Sequence, residues 1–173
     1  VEHALFTTFK QPVRCVPAGR TDTGVHAKEM VFHFDLPFEF DAQLVLKRLN
    51  RHLIKQAIII RSIESVSSDF HSLSSADSRT YDYYFTFDDH LPHYLLDSVS
   101  LIENKPMFIP KTSELERLFL GRKNSCFLAN VSTVKSTIRE IYSVSLDCQS
   151  YRDLFGESIS IYCFQITANG FLY

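Results

Sequence analysis

A loop near the start of the chain concentrates residues that can do chemistry. Residues 19–26 contain two glycines, an arginine, two threonines, an aspartate and a histidine. Glycine lets a backbone approach a ligand closely, and Arg20 is near enough in sequence to Asp22 to hold that carboxylate ionised and oriented. An ionised aspartate serves as a nucleophile or a base, although an aspartate here also suits a simple turn. Spacing alone leaves both interpretations of Asp22 open.

The sequence disfavours two other kinds of site, a nucleotide-binding loop and a metal site. Gly19 and Gly24 have the spacing of a phosphate-binding P-loop, but the lysine and hydroxyl residue that such a loop needs are absent, which excludes a nucleoside triphosphate site. His90 and His93 stand beside two aspartates, as metal ligands sometimes do. Pro92 between them favours a solvated turn, so the sequence predicts no metal site.

Composition restricts the class of protein. The 173 residues are 45% hydrophobic and 22% charged, which is ordinary for a globular chain and excludes a disordered or collagen-like one. The net charge of −2 means that a polyanionic partner needs a local basic patch. The sequence contains no run of about 18 apolar residues, so it predicts no membrane-spanning helix. It also shows no secretory signal. The four cysteines form no C-x-x-C pair, which is typical of reduced thiols.

The elements that hold the loop follow from hydrophobic periodicity. Residues 2–9 read as the end of a helix, and residues 13–16 and 30–34 read as strands on either side of the loop. Asp41 is expected to cap a helix whose apolar residues fall on one face. The isoleucine-rich run 57–63 is expected to be a strand covered on both faces.

A change of composition divides the chain. Seven of the fourteen residues from 65 to 78 are serine, which favours a linker or an irregular crossing segment over a packed element and places a boundary near Ser67. The predicted units are residues 1–66 and 67–173. The first carries nine basic and seven acidic residues, and the second nine and thirteen, so the mildly basic unit is also the one with the unusual loop.

The second unit is expected to contain three long strands and one helix. Residues 79–87, 138–146 and 158–168 are predicted strands, and a short helix is expected to begin with a Ser113–Glu116 capping box. The first of these strands puts its aromatic residues on one side, where they form core or stack on unpaired bases: Tyr81, Tyr83, Phe85 and Phe87.

The sequence AGRTDTGVHA at residues 18–27 closely resembles the signature of the tRNA pseudouridine synthase A family. Further stretches match that family in order and spacing, so the resemblance covers essentially the whole chain. They are Glu2 to Leu5, Val31 to Phe34, Asp69-Phe-His71, Arg79-Thr-Tyr-Asp-Tyr83, Leu120-Gly121, Arg139 and Ala168-Asn-Gly-Phe-Leu172.

The resemblance implies a fold and a reaction. The fold is α+β, with two small units that are each a mainly antiparallel sheet with helices on one face, forming a cleft in which Asp22 faces Tyr81. The reaction isomerises uridine to pseudouridine in the anticodon arm of tRNA, without a cofactor or a metal. The resemblance further implies a cytoplasmic homodimer with tRNA lying across both subunits.

The resemblance also gives roles to individual residues. Asp22 matches the essential aspartate, which acts either as a nucleophile or as a base. Tyr81 matches the tyrosine that packs on the target base, and Arg20 is the natural partner of Asp22 or fills the space that the base leaves. His71 and Lys135 match places where the family touches RNA.

The sequence also departs from the family. It has no tryptophan and no counterpart of the family's first strand, and it stops at Tyr173 before the family's Met-Val-Arg. We therefore expect a fragment of a longer protein. The alternative to an enzyme is a catalytically silent RNA-binding module or an inactive remnant of the family. An aspartate-dependent hydrolase is disfavoured, because no second acid or base lies at a telling spacing.

Overall fold

The chain folds as two units, Val1–Ala76 and Asp77–Tyr173. The computed structural model describes residues 1–104, 106–124 and 136–171. Helices and strands mix within the chain, with a two-stranded sheet in the first unit and a five-stranded sheet in the second. The predicted α+β class is therefore confirmed.

Two helices build the core of the first unit. Helix α1 is Glu2–Phe9, and helix α2 is Ala42–Leu53. The Asp41 carboxylate accepts hydrogen bonds from the amides of Gln43 and Leu44, at 2.9 and 3.0 Å, which satisfies two donors that the helix itself leaves free. The predicted cap and apolar face of α2 are confirmed, and the buried residues of this core are Ala4, Leu5, Val13, Val45, Leu49, Leu53 and Ile60.

The strands of the first unit are shorter than predicted. Strand β1 is Val16–Pro17 and strand β2 is Phe32–His33, and they pair antiparallel. The predicted strands covered residues 13–16 and 30–34. Val13 instead packs into the helical core, which draws the chain before β1 away from the ladder.

The predicted strand at residues 57–63 is wrong. A 3₁₀ turn, Ile54–Gln56, follows α2 and ends at Ala57, whose φ of 54° is incompatible with a strand. The Asn50 side chain then pairs with the backbone of Ile60: its Oδ1 accepts from the amide at 2.7 Å, and its Nδ2 donates to the carbonyl at 2.8 Å. Because a side chain takes the groups that a ladder would use, this run stays irregular.

The serine-rich segment is irregular, as one of its two interpretations predicted, but it is attached to the first unit and is not a free linker. Ser72 is only 2% exposed, and its hydroxyl donates to the Val16 carbonyl at 2.6 Å. A local turn joins the Ser75 amide to the His71 carbonyl at 2.8 Å. The observed division at 76/77 lies ten residues after the predicted one at 66/67, because these contacts tie the segment to the first unit.

The second unit is a five-stranded sheet in the order β4-β3-β7-β6-β5. Among the described strands only the edge pair β3/β4 is parallel, so the sheet is mainly antiparallel, as predicted. Its strands are β3 Arg79–Thr86, β4 Ser100–Leu101, β5 Gly121–Asn124, β6 Ile138–Arg152 and β7 Ser158–Ala168.

Strand β6 runs six residues beyond its predicted end at residue 146. Its polar second half keeps pairing with β7 up to Arg152. Asp153 then closes the hairpin, because its Oδ1 accepts from the amides of Phe155 and Glu157 at 2.9 and 2.8 Å. Residues 147–152, which lie between the two predicted strands, are thus part of the ladder.

Helix α3, Thr112–Phe119, is present, but its predicted cap is wrong. Glu114 makes the capping contact, because its Oε2 accepts from the Lys111 amide at 3.0 Å. Ser113, the predicted cap, lies inside the helix. The Thr112 hydroxyl accepts from the Leu146 amide at 3.2 Å and so fastens the helix to β6. No helix of the described ranges is long and apolar enough to cross a membrane.

The paired bonds of Asn50 predict a stability effect. Asn50→Ala leaves the half-buried amide and carbonyl of Ile60 without partners, so we expect the free energy of unfolding to fall by about 2 kcal/mol. Lys47→Ala, on the exposed face of the same helix, is the control and should change it by less than about 0.5 kcal/mol. Urea unfolding of both variants measures the difference, and equal losses would contradict this role for Asn50.

Candidate active site

Pairing between β1 and β2 brings together the two ends of the loop that contains Asp22. Val16 pairs with His33 and Pro17 pairs with Phe32. One step farther along, the Ala18 amide donates to the Val31 carbonyl at 2.8 Å. Residues 19–30 therefore form a loop whose two ends are held side by side.

Asp22 lies in a turn within this loop. Its carbonyl accepts from the Val25 amide at 3.1 Å, and Gly24 has a φ of +86°, where an L side chain would be strained. Residues 20–31 are all exposed, Asp22 among them. The glycine serves the turn, and the turn leaves the aspartate accessible to a ligand.

Arg20 is exposed two residues before Asp22, but within the described residues no ion pair joins the two. The ion pair nearest in sequence is that of Glu29, whose Oε1 lies 3.1 Å from the Arg61 Nη1. Both of its side chains are about 70% exposed, so it contributes at most about 1 kcal/mol. The loop is therefore positioned mainly by its base.

His71 lies next to the β1/β2 pairing from which the loop extends. Its ring centroid lies 4.9 Å from that of His33 in β2, and the Phe70 ring meets His33 edge-on at 6.1 Å. His71 itself is exposed. Sequence reasoning assigned no role to His33, which was visible only as one residue of a matching stretch. Lys135, the other predicted RNA contact, lies outside the described residues.

Tyr81, in strand β3 of the second unit, keeps 38% of its surface exposed. Its ring meets that of Phe171 edge-on, with centroids 4.9 Å apart and an angle of 87° between the planes. Such T-shaped pairs are favourable and fix the orientation of both rings. Tyr81 is thus an accessible aromatic surface with a defined orientation.

Phe171 is brought to Tyr81 by the chain just after β7. The Asn169 amide donates to the Glu140 carbonyl at 3.0 Å, and the Glu140 amide donates to the Asn169 Oδ1 at 3.1 Å. These reciprocal bonds direct the following residues past the end of the strand. The sequence showed Asn169 and Phe171 only as part of a matching stretch and gave no sign of this contact.

Comparison with known proteins places these features in context. A tRNA pseudouridine synthase A of Ehrlichia ruminantium is 32% identical over 147 residues, which is 84% of this chain and 59% of the relative. One of Methylacidiphilum infernorum is 31% identical over all 173 residues, 64% of its own length. One of Porphyromonas gingivalis is 48% identical over 88 residues, half of this chain and 34% of the relative.

The chain belongs to the tRNA pseudouridine synthase A family. It spans about three fifths of the relatives that it matches over most of its length. No protein-family profile matches it. The family assignment therefore rests on the individual relatives.

Phe85 and Phe87, farther along the same face of β3, are partly buried against other rings. Phe85 stacks on Tyr162 with centroids 5.4 Å apart and planes 15° apart, and Phe87 meets the same ring at 5.3 Å. Phe85 and Phe87 also line an apolar cavity with Leu115 and Phe164. Tyr83 is 51% exposed, so exposure alone does not distinguish Tyr81, whose distinguishing contact is the edge-on pair with Phe171.

One of the two histidines considered as metal ligands forms a surface pair with a carboxylate. His90 Nε2 lies 2.9 Å from the Glu157 Oε2, in an exposed pair next to the hairpin turn. Within the described ranges, no cluster of three or more metal-ligating side chains is present.

The Cys15 thiol, just before β1, is poorly suited to nucleophilic chemistry. Burial, reinforced by the carboxylate of Glu2, raises the pKa of its thiol from 9.0 to about 11. The same carboxylate accepts from the Cys15 amide at 2.9 Å. The thiol is therefore protonated at neutral pH.

This pKa predicts slow alkylation. At pH 7.5 the thiolate fraction of Cys15 should be roughly 100-fold below that of a thiol with the ordinary pKa, so iodoacetamide should modify it far more slowly than the exposed Cys148. The rate at Cys15 should rise with pH until about 11. Peptide mass spectrometry, with a urea-unfolded sample as the reference, measures both rates. Equal labelling of Cys15 in the folded and unfolded samples would contradict the raised pKa.

Proposed function

We propose that this chain is part of a tRNA pseudouridine synthase that converts uridine to pseudouridine in the anticodon arm of tRNA. The proposal is carried by the Asp22 loop, which has the family's sequence and is held at both ends with its aspartate accessible. It is supported by relatives named tRNA pseudouridine synthase A that match the chain from end to end.

Asp22 is the proposed catalytic residue. In the reaction the N-glycosidic bond of uridine breaks, the uracil turns, and its C5 bonds to the ribose while the C5 proton leaves to solvent. An ionised carboxylate assists either by attacking the sugar or the base, or by removing a proton from the sugar. Asp22 is exposed in the free chain, so the bound nucleotide is what excludes water from it.

The target uridine has to leave its stack before a carboxylate can reach it. Extrusion costs a few kcal/mol and calls for contacts that replace the lost stacking. We propose that the ring of Tyr81 packs on the extruded base and that Arg20 fills the vacated space or steadies Asp22. The edge-on contact with Phe171 supports this role, because it holds the tyrosine ring ready before the base arrives.

Contacts with the rest of the tRNA are proposed for His71 and Lys135, by resemblance to the family. The exposure of His71 beside the loop base supports the first of these assignments. We propose, from the same resemblance, that the full-length protein acts as a cytoplasmic homodimer.

The decisive experiment measures tritium release from C5-labelled uridine in unmodified tRNA. With the complete gene product, we expect Asp22→Asn to lower the rate at least about 1,000-fold, because the amide can neither attack nor accept a proton. Asp35→Asn, an exposed carboxylate after β2, is the matched control and should leave the rate unchanged. The affinity of both variants for tRNA should stay within about threefold of the original.

Two results would contradict the proposed function. If the unaltered protein binds tRNA but releases no tritium, the catalytically silent RNA-binding module becomes the better account. If Asp22→Asn remains as active as Asp35→Asn, the reaction does not depend on this carboxylate.

The role of Tyr81 is tested with a series of variants. Tyr81→Ala should lower kcat/KM by about 10 to 100-fold, since a base stacked on an aromatic ring gains about 1–3 kcal/mol. Tyr81→Phe keeps the stacking surface and isolates the contribution of the hydroxyl. Phe171→Ala should cause a smaller loss, because it removes only the support of the ring. Tyr142→Ala, at an exposed tyrosine of β6, is the control, and a loss equal to that of Tyr81→Ala would contradict the assignment.

A further inference from the structure

Ser72 makes a contact pattern that neither the family resemblance nor the proposed chemistry explains. Among the described residues, the buried polar ones are Ser72 and Thr86. The Ser72 hydroxyl donates to the Val16 carbonyl at 2.6 Å, across 56 positions of sequence. Its amide donates to the Nδ1 of His33 at 3.2 Å, and its Oγ lies 3.0 Å from the same nitrogen.

The two residues that Ser72 contacts are partners in one ladder. Val16 belongs to β1 and His33 to β2, and they face each other in register. This pair closes the base of the Asp22 loop. Ser72 therefore bridges the outgoing and the returning strand at one point.

The ladder is short, and Phe32 is the one of its residues that packs against the helical core. It contains two residue pairs, and one of its four residues is Pro17, which lacks an amide proton. Isolated two-stranded pairings of this kind are marginal in water. Ser72 adds constraints that the ladder lacks, because its hydroxyl bonds to Val16 in one strand and its amide bonds to His33 in the other.

The orientation of the bonds is also determined. A hydroxyl has one proton, and a carbonyl can only accept, so the Ser72 proton goes to Val16. His33 Nδ1 then serves as the acceptor for the Ser72 amide, which places the ring proton of a neutral His33 on Nε2. An alanine at position 72 would leave the Val16 carbonyl without this donor in a buried place.

We propose that Ser72 is a positioning residue for the catalytic loop: it clamps the Val16–His33 pair and so fixes where Asp22 is presented. The catalytic part of this inference rests on the proposed function, whereas the clamp itself does not. Ser72 is reached through the serine-rich segment, so a stretch with the composition of a linker supplies a structural element of the site.

Hydrogen exchange tests the clamp without reference to activity. In the complete gene product, Ser72→Ala should raise the exchange rate of the Ala18 amide, which bonds to Val31, at least about tenfold. The Leu49 amide within α2 should keep its protection, which shows that the unit remains folded. Ser74→Ala, at an exposed serine two residues away, is the matched control and should change neither amide.

Tritium release from C5-labelled tRNA tests the effect on catalysis. Ser72→Ala should lower kcat about tenfold and leave KM for tRNA within about twofold, because the carboxylate is misplaced while the RNA-binding surface persists. Ser72→Cys, which has nearly the same size but a weaker donor, should fall between Ser72→Ala and the original serine in both measurements.

Each outcome decides the inference. Unchanged exchange at Ala18 in Ser72→Ala overturns the clamp. Faster exchange with unchanged kcat overturns the positioning role. If Ser72→Ala also loses protection at Leu49, the milder Ser72→Cys variant decides between these outcomes by the same two measurements. If the unaltered protein releases no tritium, the proposed function and the catalytic role fall together, and the exchange of Ala18 still decides whether Ser72 holds the loop.

Discussion

The pairing of Val16 with His33 is the contact on which the loop of the first unit depends. It is part of a two-residue ladder, and a ladder of that length does not persist by itself. Its surroundings supply what it lacks. The Ala18 amide extends the pairing by one bond toward the loop, and Ser72 attaches both strands to a segment far along the chain. The helical core is the rigid body to which this small assembly is fixed.

The elements with a strong local signal could be read from the sequence. Helix α2 was predictable because Asp41 caps it directly and its apolar residues repeat at helical spacing. The strand predicted at residues 57–63 was wrong. Its isoleucines are typical of a strand, but the Asn50 side chain bonds to the amide and carbonyl of Ile60, which a strand would pair with a neighbouring strand. No local sequence pattern predicts a hydrogen bond between a helix side chain and the backbone ten residues later. The cap of α3 was misplaced because the helix begins at Thr112, which puts Ser113, the predicted cap, inside it.

Some residues of the candidate site could likewise be predicted from the sequence, and others could not. Asp22 could be found because its loop is dense in functional residues and resembles a known signature. Tyr81 could be found only through the resemblance, since strand alternation does not separate it from its three aromatic neighbours. Its contact with Phe171 could not be found, because it depends on the reciprocal bonds that Asn169, after β7, makes with Glu140 in β6. The resemblance names the residues, and the sheet determines which of them lie together.

The long sequence separation between Val16 and Ser72 has a consequence for the order of events at the ribosome. The nascent chain carries α1, the loop and α2 well before residue 72 has been added, so the helices are able to pack while the loop base still lacks its clamp. Long-range contacts of this kind form late, because the intervening chain must first be ordered. The bond that Ser72 makes with Val16 can therefore form only after both helices of the first unit have been synthesised.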